Sequence, residues 1–161
     1  MQSRVRASTL ATSFADINVV IHCRVPELMD LVERNFSDMI APLATPTHRL
    51  VYEIQHADNN AGYIVSRQNS DFCGAFTHPG DLIYLLEGDL VVQLQLRRKD
   101  LLFLHAAALG ANGASHILVG RSGAGKSTTC WGLLHHGFGY LSDELAPVAM
   151  DSMKVTPYSH A

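Results

Sequence analysis

The sequence predicts an α/β fold, in which a mixed sheet carries a strand, a glycine-rich loop and a helix after a small N-terminal α/β region. Two observations predict it. Short β-branched or apolar runs typical of strands alternate with segments whose apolar residues recur at helical spacing. A glycine-rich segment at residues 120–128 stands between an apolar run and a helix-like run. We therefore expect the small region at residues 1–80 and the domain with the loop at residues 81–161.

The composition is typical of a globular protein and argues against several classes. Of the 161 residues, 47% are hydrophobic and 17% are charged, which is too apolar for a disordered chain. The net charge of −3 gives no reason to expect nucleic acid as a partner. No apolar run reaches the length that spans a membrane. Cys23, Cys73 and Cys130 are widely spaced, which favours reduced thiols and a cytoplasmic location.

The N-terminal region begins with a segment that we interpret as a frayed terminus. Residues 1–15 combine Arg4 and Arg6 with several Ser and Thr and no acid, a composition that also resembles an organelle transit segment. The β-branched run Ile17–Cys23 predicts a strand, and Pro26 predicts the start of a helix. The apolar stripe of this helix consists of Leu28, Leu31, Val32, Phe36, Met39 and Ile40.

The next segments predict a connector and three strands. Residues 41–47 contain two prolines and predict a connector. Residues 50–54 and 63–65 predict strands that form a hairpin around the turn-rich residues 58–62. Residues 71–76 predict a third strand.

Residues 81–99 allow two interpretations. Four leucines recur at every fourth position, at Leu82, Leu86, Leu90 and Leu94. This spacing predicts a helix, which Asp81 would cap. Alternation of Val92, Leu94 and Leu96 with glutamines predicts a strand instead. We favour the helix, despite Gly88 in its interior.

In the second domain, the sequence predicts a hairpin that leads into the glycine-rich loop. Residues 101–109 predict one apolar strand, and Asn112-Gly113 predicts a tight turn into a short buried strand at residues 116–119. The two strands should therefore be antiparallel neighbours. A helix is expected from Lys126 to His136, with Gly137 as its stop. Further strands are expected at residues 138–142, 145–150 and 154–158.

The glycine-rich segment matches the pattern of a P-loop, or Walker A motif, at every fixed position. It reads Gly120, Arg121, Ser122, Gly123, Ala124, Gly125, Lys126, Ser127 and Thr128. In such a loop the backbone N–H groups and the helix N-terminus hold phosphates. Lys126 would reach the β- and γ-phosphates, and the Ser127 hydroxyl would bind Mg²⁺. The alternative is a glycine-rich turn that binds nothing.

Three further polar residues have both a functional and a structural interpretation. His105, in an apolar run, is either a hydrogen-bonded core residue or part of a site. Asp143 follows a predicted strand and either caps the next turn or acts as a metal ligand or base. Glu144 is either a second such carboxylate or a surface charge. On the helix after the loop, the residues interpreted as core are Cys130, Trp131, Leu133 and Leu134.

The order of His105, the loop ending at Thr128, and Asp143-Glu144 resembles the HPr kinase/phosphorylase family, whose ATP-binding fold is like that of phosphoenolpyruvate carboxykinase. The likeness covers residues 101–150. It implies ATP and Mg²⁺ as cofactors, with Lys126 and the loop amides holding the triphosphate. It implies that Asp143 is the base toward an acceptor serine, that His105 lies near the phosphates, and that Ser127, Asp143 and Glu144 bind the metal. The family commonly has Asp where this chain has Glu144.

The resemblance implies an ATP-dependent serine kinase that phosphorylates a small protein or peptide and can form a homo-oligomer. A glycine-rich segment with acidic and arginine residues, which the family carries further downstream, has no match here, so we expect the domain to be incomplete at its C-terminus. Two other interpretations stay open. One is a non-catalytic, truncated ATP-binding regulatory module, and the other is a small-molecule kinase or ATPase.

Overall fold

A computed structural model describes residues 8–36, 45–58 and 61–158. These residues form ten strands and three helices, so the predicted α/β class is confirmed. They divide into two compact units, with the division between Arg97 and Arg98. The division expected from the sequence lies earlier, between residues 80 and 81; the helix that follows position 80 instead contacts strands of the first unit. No helix in the described part of the chain is long and apolar enough to cross a membrane.

The first unit contains a mixed sheet of five strands. In spatial order these are β1 (Ser8–Phe14), β2 (Ile17–Cys23), β3 (His48–His56), β4 (Tyr63–Arg67) and β5 (Cys73–Phe76). Strands β2 and β3 are parallel, and every other neighbouring pair is antiparallel. The predicted strands at the positions of β2, β3, β4 and β5 are therefore confirmed, as is the β3–β4 hairpin. Positions 59 and 60 of its predicted turn lie outside the described residues.

Strand β1 was missed, and the expectation of a frayed terminus is wrong for Ser8–Phe14. This strand pairs with β2 through a tight turn at Ala15 and Asp16, which have φ of +47° and +62°. Turns of this kind usually contain Asn-Gly or Asp-Gly. Because Ala-Asp is not such a pair, the sequence carries no hairpin signal here. Residues 1–7 lie outside the described part of the chain.

Helix α1 (Pro26–Phe36) begins at the predicted proline and lies in the connection between β2 and β3. Its buried residues are Leu28, Met29, Val32 and Phe36, and their spacing places one apolar stripe against the sheet strands that the helix contacts. Met39, Ile40 and most of the predicted connector at 41–47 lie outside the described residues.

The segment with two interpretations is a helix, α2 (Pro79–Arg97), and the strand alternative is wrong. The leucines at every fourth position, Leu82, Leu86, Leu90 and Leu94, are all buried. The predicted cap is also wrong, because the helix begins before Asp81. The N–H of Gly80 donates to Nδ1 of His78 over 3.1 Å, so His78 caps the helix and Pro79 occupies the first position, where its missing N–H costs nothing.

The second unit contains two antiparallel sheets and one helix. Strands β6 (Leu101–His105) and β10 (Leu145–Ala149) form one sheet. Strands β8 (Ala114–Leu118), β7 (Ala107–Ala111) and β9 (Gly139–Ser142) form the other, in that order. Helix α3 (Lys126–Leu134) follows the glycine-rich segment. The mixed sheet was expected to carry this segment, which is wrong: the segment follows β8, a strand of an antiparallel sheet.

Three other predictions for this unit need correction. The single strand expected at 101–109 is broken at Ala106, where the chain passes from one sheet to the other. The strand before the loop is exposed or half-buried, not buried, because β8 lies at the edge of its sheet. The strand expected at 154–158 is reduced to an isolated bridge between Val155 and Val148.

Two turn predictions are confirmed. Asn112 and Gly113, with φ of +52° and +77°, connect β7 to β8 as the tight hairpin turn that Asn-Gly favours. Gly137, with φ of +86°, ends the helix region. Its N–H donates to the carbonyl of Leu134, and the N–H of Phe138 donates to that of Leu133, which is a Schellman motif.

Strand β7 is the centre of the core in this unit. Ala106 and Ala108 pack on one face with Ala146 of β10. Ala107 and Leu109 pack on the opposite face with Cys130 of α3. Both faces of the strand are therefore covered, which explains why its residues are small and apolar with no polar alternation.

The buried stripe of α2 predicts a difference between two leucines of the same helix. Leu90→Ala should lower the free energy of unfolding by about 2–5 kcal/mol because it leaves a cavity. Leu96→Ala should change it by about 0.5 kcal/mol or less, because Leu96 is exposed. Urea unfolding followed by circular dichroism measures both. Equal effects of the two substitutions would contradict the buried face described here.

Candidate functional site

The pairing of β7 brings two separate segments of the chain to one end of its sheet. The last residue of β8, Leu118, pairs with Ala107, and the last residue of β9, Ser142, pairs with Ala108. Both strands therefore end beside the beginning of β7. The glycine-rich segment leaves the sheet on one side of β7, and Asp143 leaves it on the other.

The sheet formed by β6 and β10 brings His105 to the same end of β7. His105 ends β6, where it pairs with Leu145, the first residue of β10. The N–H of Ala106 donates to the carbonyl of Glu144 over 3.2 Å, so the backbone joins the two segments directly. The fold thereby brings together three separate parts of the sequence, at positions 105, 120–128 and 143–144.

These segments line a cavity of about 400 Å³. Its lining consists of His105, Ser122, Gly123, Gly125, Lys126, Ser127, Thr128, Asp143 and Glu144. All of them were candidate site residues from the sequence. Gly120, Arg121 and Ala124 belong to the same loop but do not line this cavity.

The loop adopts backbone conformations that favour glycine. Gly123 and Gly125 have φ of +77° and +84°, and a Cβ added to either would meet no atom within 4 Å. Glycine is thus required there by backbone conformation and not by crowding. A Cβ on Gly120 would lie 3.2 Å from that of Ala124, so the two ends of the loop approach closely. The ammonium of Lys126 donates to the carbonyls of Gly120 and Arg121 over 3.1 and 3.4 Å.

Helix α3 begins at Lys126 without a side-chain cap. The preceding residue, Gly125, is in the left-handed region, and its carbonyl accepts the first helical bond, from the N–H of Thr129, over 2.9 Å. The amides of the first turn have no acceptor inside a helix and carry its partial positive charge. Lys126, Ser127 and Thr128 of this turn all line the cavity, which makes it suited to an anion.

Asp143 is half-buried, and its Oδ1 atom has no hydrogen-bond partner among the described residues. The structural interpretation in which Asp143 caps the next turn is wrong, because the Oγ atom of Ser142 accepts the N–H of Leu145 over 3.0 Å. A register shift near Ala108 leaves Leu141 as an extra residue in β9. Such bulges change the direction of the side chains that follow them.

The charge of Asp143 acts on two neighbouring groups. Burial, with Asp143 as the second cause, raises the pKa of the Cys130 thiol. Burial and then Asp143 also raise the pKa of Tyr140. Both groups therefore stay neutral near neutral pH and add no further negative charge beside the carboxylate. The sequence analysis did not name Tyr140 as a site residue. The one signal for it in the sequence is its position on the predicted strand that ends just before Asp143.

Other interpretations of the sequence have mixed outcomes. His105 is exposed, so its interpretation as a core residue is wrong. Glu144 is exposed as well. Cys130 is buried as expected, but Trp131 is 67% exposed and was wrongly assigned to the core. Its ring contacts that of His135, with 6.3 Å between centroids. Because the helix has only one buried residue, helical spacing alone could not identify which side is covered.

A second cavity, of about 310 Å³, lies beside the first. It is lined by Ile117, Leu118, Val119, Ala124, Lys126 and Thr129. Lys126 lines both cavities and is the residue that they share. Thr129 and Val119 were not predicted from the sequence. The exposure of Val119, an apolar residue outside the core, becomes visible only in the structure.

No group of three or more His, Cys, Asp or Glu side chains within the described ranges is arranged to hold a metal ion. Comparison with protein-family models, with curated proteins and with solved structures found no match to this chain.

The burial of two cysteines predicts their reactivity. Cys73 is exposed, whereas Cys23 and Cys130 are buried and burial raises the pKa of both thiols. At pH 8 a disulfide reagent should therefore modify Cys73 at least about tenfold faster than the other two. Replacing it, in Cys73→Ser, should remove the fast phase. A fast phase that persists in this variant would contradict the burial of the other thiols.

Proposed function

We propose that the chain is an ATP-dependent serine kinase that resembles the HPr kinases and phosphorylates a serine of a small protein or peptide. One observation carries the proposal. A single cavity is lined both by Lys126 and Ser127, which complete a P-loop sequence, and by Asp143, which has a carboxylate oxygen with no hydrogen-bond partner in the described part of the chain. Phosphoryl transfer needs charge neutralisation and an aligned nucleophile, and these residue types supply both.

The loop residues fit the phosphates of a nucleotide. The open space around Gly123 and Gly125 leaves room for phosphate oxygens near the backbone, and the first turn of α3 supplies unpaired amides. The ammonium of Lys126 is held by two neutral carbonyls. Phosphate oxygens are more strongly negative acceptors, so Lys126 would exchange these bonds for charge-assisted ones. Ser127, in the cavity lining, offers a hydroxyl ligand to Mg²⁺, with Asp143 and Glu144 as nearby carboxylates.

Asp143 fits the role of general base. Bound ATP and Mg²⁺ would supply the γ-phosphoryl group and neutralise its charge. Asp143 would accept the proton of the acceptor hydroxyl as the serine oxygen bonds to phosphorus and ADP leaves. Such assistance contributes a factor of about 10²–10⁴ to the rate. His105, in the same lining, would donate a hydrogen bond to a phosphate oxygen.

An ATP-binding module without transfer activity is the second candidate, and the charge of the cavity favours it. The charged side chains that line the cavity are one ammonium, Lys126, and two carboxylates, Asp143 and Glu144. Arg121 of the loop does not line it. This is little positive charge for the transition state of phosphoryl transfer, where an additional arginine is often important.

Binding of Mg-ATP tests what both candidates share. Lys126→Ala should raise the dissociation constant at least about tenfold, because a charge-assisted bond to phosphate is lost. Lys154→Ala removes an exposed lysine of the same unit that does not line the cavity, and should bind as the unchanged chain does. Titration calorimetry measures all three proteins. Absence of binding by the folded, unchanged chain would refute both candidates.

Transfer to serine separates the kinase from its alternatives. With a library of serine peptides and labelled ATP, phosphoserine should form, and Asp143→Asn should lower the rate by about 10²–10⁴. Asp151→Asn, at an exposed position outside the cavity lining, is the control. Unchanged transfer in Asp143→Asn would refute the assigned base. ATP binding without transfer would favour the non-catalytic module, and hydrolysis with no peptide acceptor would favour an ATPase.

A further inference from the structure

A small cavity in the first unit is surrounded by arginines. Its volume is about 150 Å³, and its lining consists of Arg49, Leu50, Val51, Arg67, Gln68, Asn69 and Arg97. Three of these seven residues are arginines, and they come from β3, from β4 and from the last position of α2. Their wide separation in the sequence gives no motif, so only the fold brings them together.

Arg67 is held in place by a buried carboxylate. Its Nε atom donates to Oδ2 of Asp89 over 2.7 Å, and the two side chains are only 12% and 8% exposed. The hydroxyl of Tyr52 donates to the same oxygen over 2.8 Å. Burial, followed by the hydrogen bond to Asp89, raises the pKa of Tyr52, so this hydroxyl keeps its proton and remains a donor. The bond through Nε uses one edge of the Arg67 guanidinium, which has donors on its other nitrogens as well.

Arg97 is attached to the same network through a neutral residue. Its Nη1 atom donates to the side-chain oxygen of Gln93 and, over 3.4 Å, to the Gln93 carbonyl. The amide nitrogen of Gln93 in turn donates to Asp89 over 3.4 Å. Gln93 orients Arg97 but does not neutralise it. Arg49 is exposed at the rim, where it can adjust to an incoming group.

The charges around this cavity are unbalanced. Three arginines line it, and the carboxylate of this network, Asp89, pairs with Arg67. The formal charge of these four side chains is +2, and an anion bound among the arginines would compensate it. The planar guanidinium fork matches the oxygens of a phosphate or carboxylate. The cavity is smaller than the sites of drug-sized ligands, which typically have volumes of about 300 Å³ or more.

We propose that the cavity formed by Arg49, Arg67 and Arg97 binds a small, doubly charged oxyanion of the phosphate type. Two excess charges match a dianion better than a single carboxylate. The site lies wholly within the first unit and does not depend on nucleotide binding at the glycine-rich loop.

Titration calorimetry with inorganic phosphate tests the proposal at constant ionic strength. The full chain carries Lys126→Ala, so that phosphate bound near the loop does not contribute. Saturable binding is expected, and Arg49→Ala or Arg97→Gln should each raise the dissociation constant at least about tenfold. Lys154→Ala is the control, since Lys154 is exposed and lies outside this lining. It should leave the dissociation constant unchanged.

Several results would overturn the proposal. These are no saturable binding by the folded chain, equal binding by Arg49→Ala and the control, or acetate binding as tightly as phosphate. Phosphate binding that disappears with Lys126→Ala and ignores the arginines would assign the anion to the loop instead. Competition with O-phosphoserine distinguishes the form of the ligand. If O-phosphoserine displaces phosphate, the site accepts an esterified phosphate; if it does not, the site is specific for the free ion. Either result supports the proposal. Circular dichroism of each variant confirms that it is folded.

Discussion

The double pairing of strand β7 is the constraint on which the candidate site depends. Because β8 and β9 pair with opposite edges of β7, they run in the same direction and end together. The glycine-rich segment and Asp143 therefore begin at one end of the sheet. Small residues make this arrangement possible: Ala106, Ala107 and Ala108 are fully buried, so α3 and β10 can both approach the strand closely.

Charge is distributed in opposite ways at the two sites. At the loop, one ammonium shares a cavity with two carboxylates, and one oxygen of Asp143 has no hydrogen-bond partner among the described residues. At the arginine cavity, three arginines are accompanied by one carboxylate, Asp89, which pairs with Arg67. An unpaired charge or buried oxygen costs free energy in the protein alone. Both sites therefore hold groups that the proposed ligands would stabilise, a metal-bound nucleotide in the first and a small dianion in the second.

Local rules predicted the elements well where the signal came from neighbouring residues. The leucines of α2 decided between helix and strand because one side of that helix is buried along its length. Asn112-Gly113 and Gly137 predicted a turn and a helix end because both positions need a positive φ. The same rules missed β1, whose turn at Ala15-Asp16 contains no glycine, and the cap of α2, which a histidine ring supplies. In both places a structural role is filled by a residue type that rarely has it, Ala-Asp in a tight hairpin turn and His at a helix N-cap.

The sequence by itself determined the glycine-rich segment between strand and helix, most of the helices and strands, and the hairpin before the loop, since these depend on residues close together in the chain. Tertiary structure decided the rest. The break at Ala106 arises because β6 and β7 pair with different sheets, which no local pattern specifies. Hydrogen bonds and packing between distant segments bring His105 close to Glu144. They also bring together the arginines of the second cavity, Arg49, Arg67 and Arg97. Such pairings follow from the whole set of strands competing for partners, and no single segment encodes them.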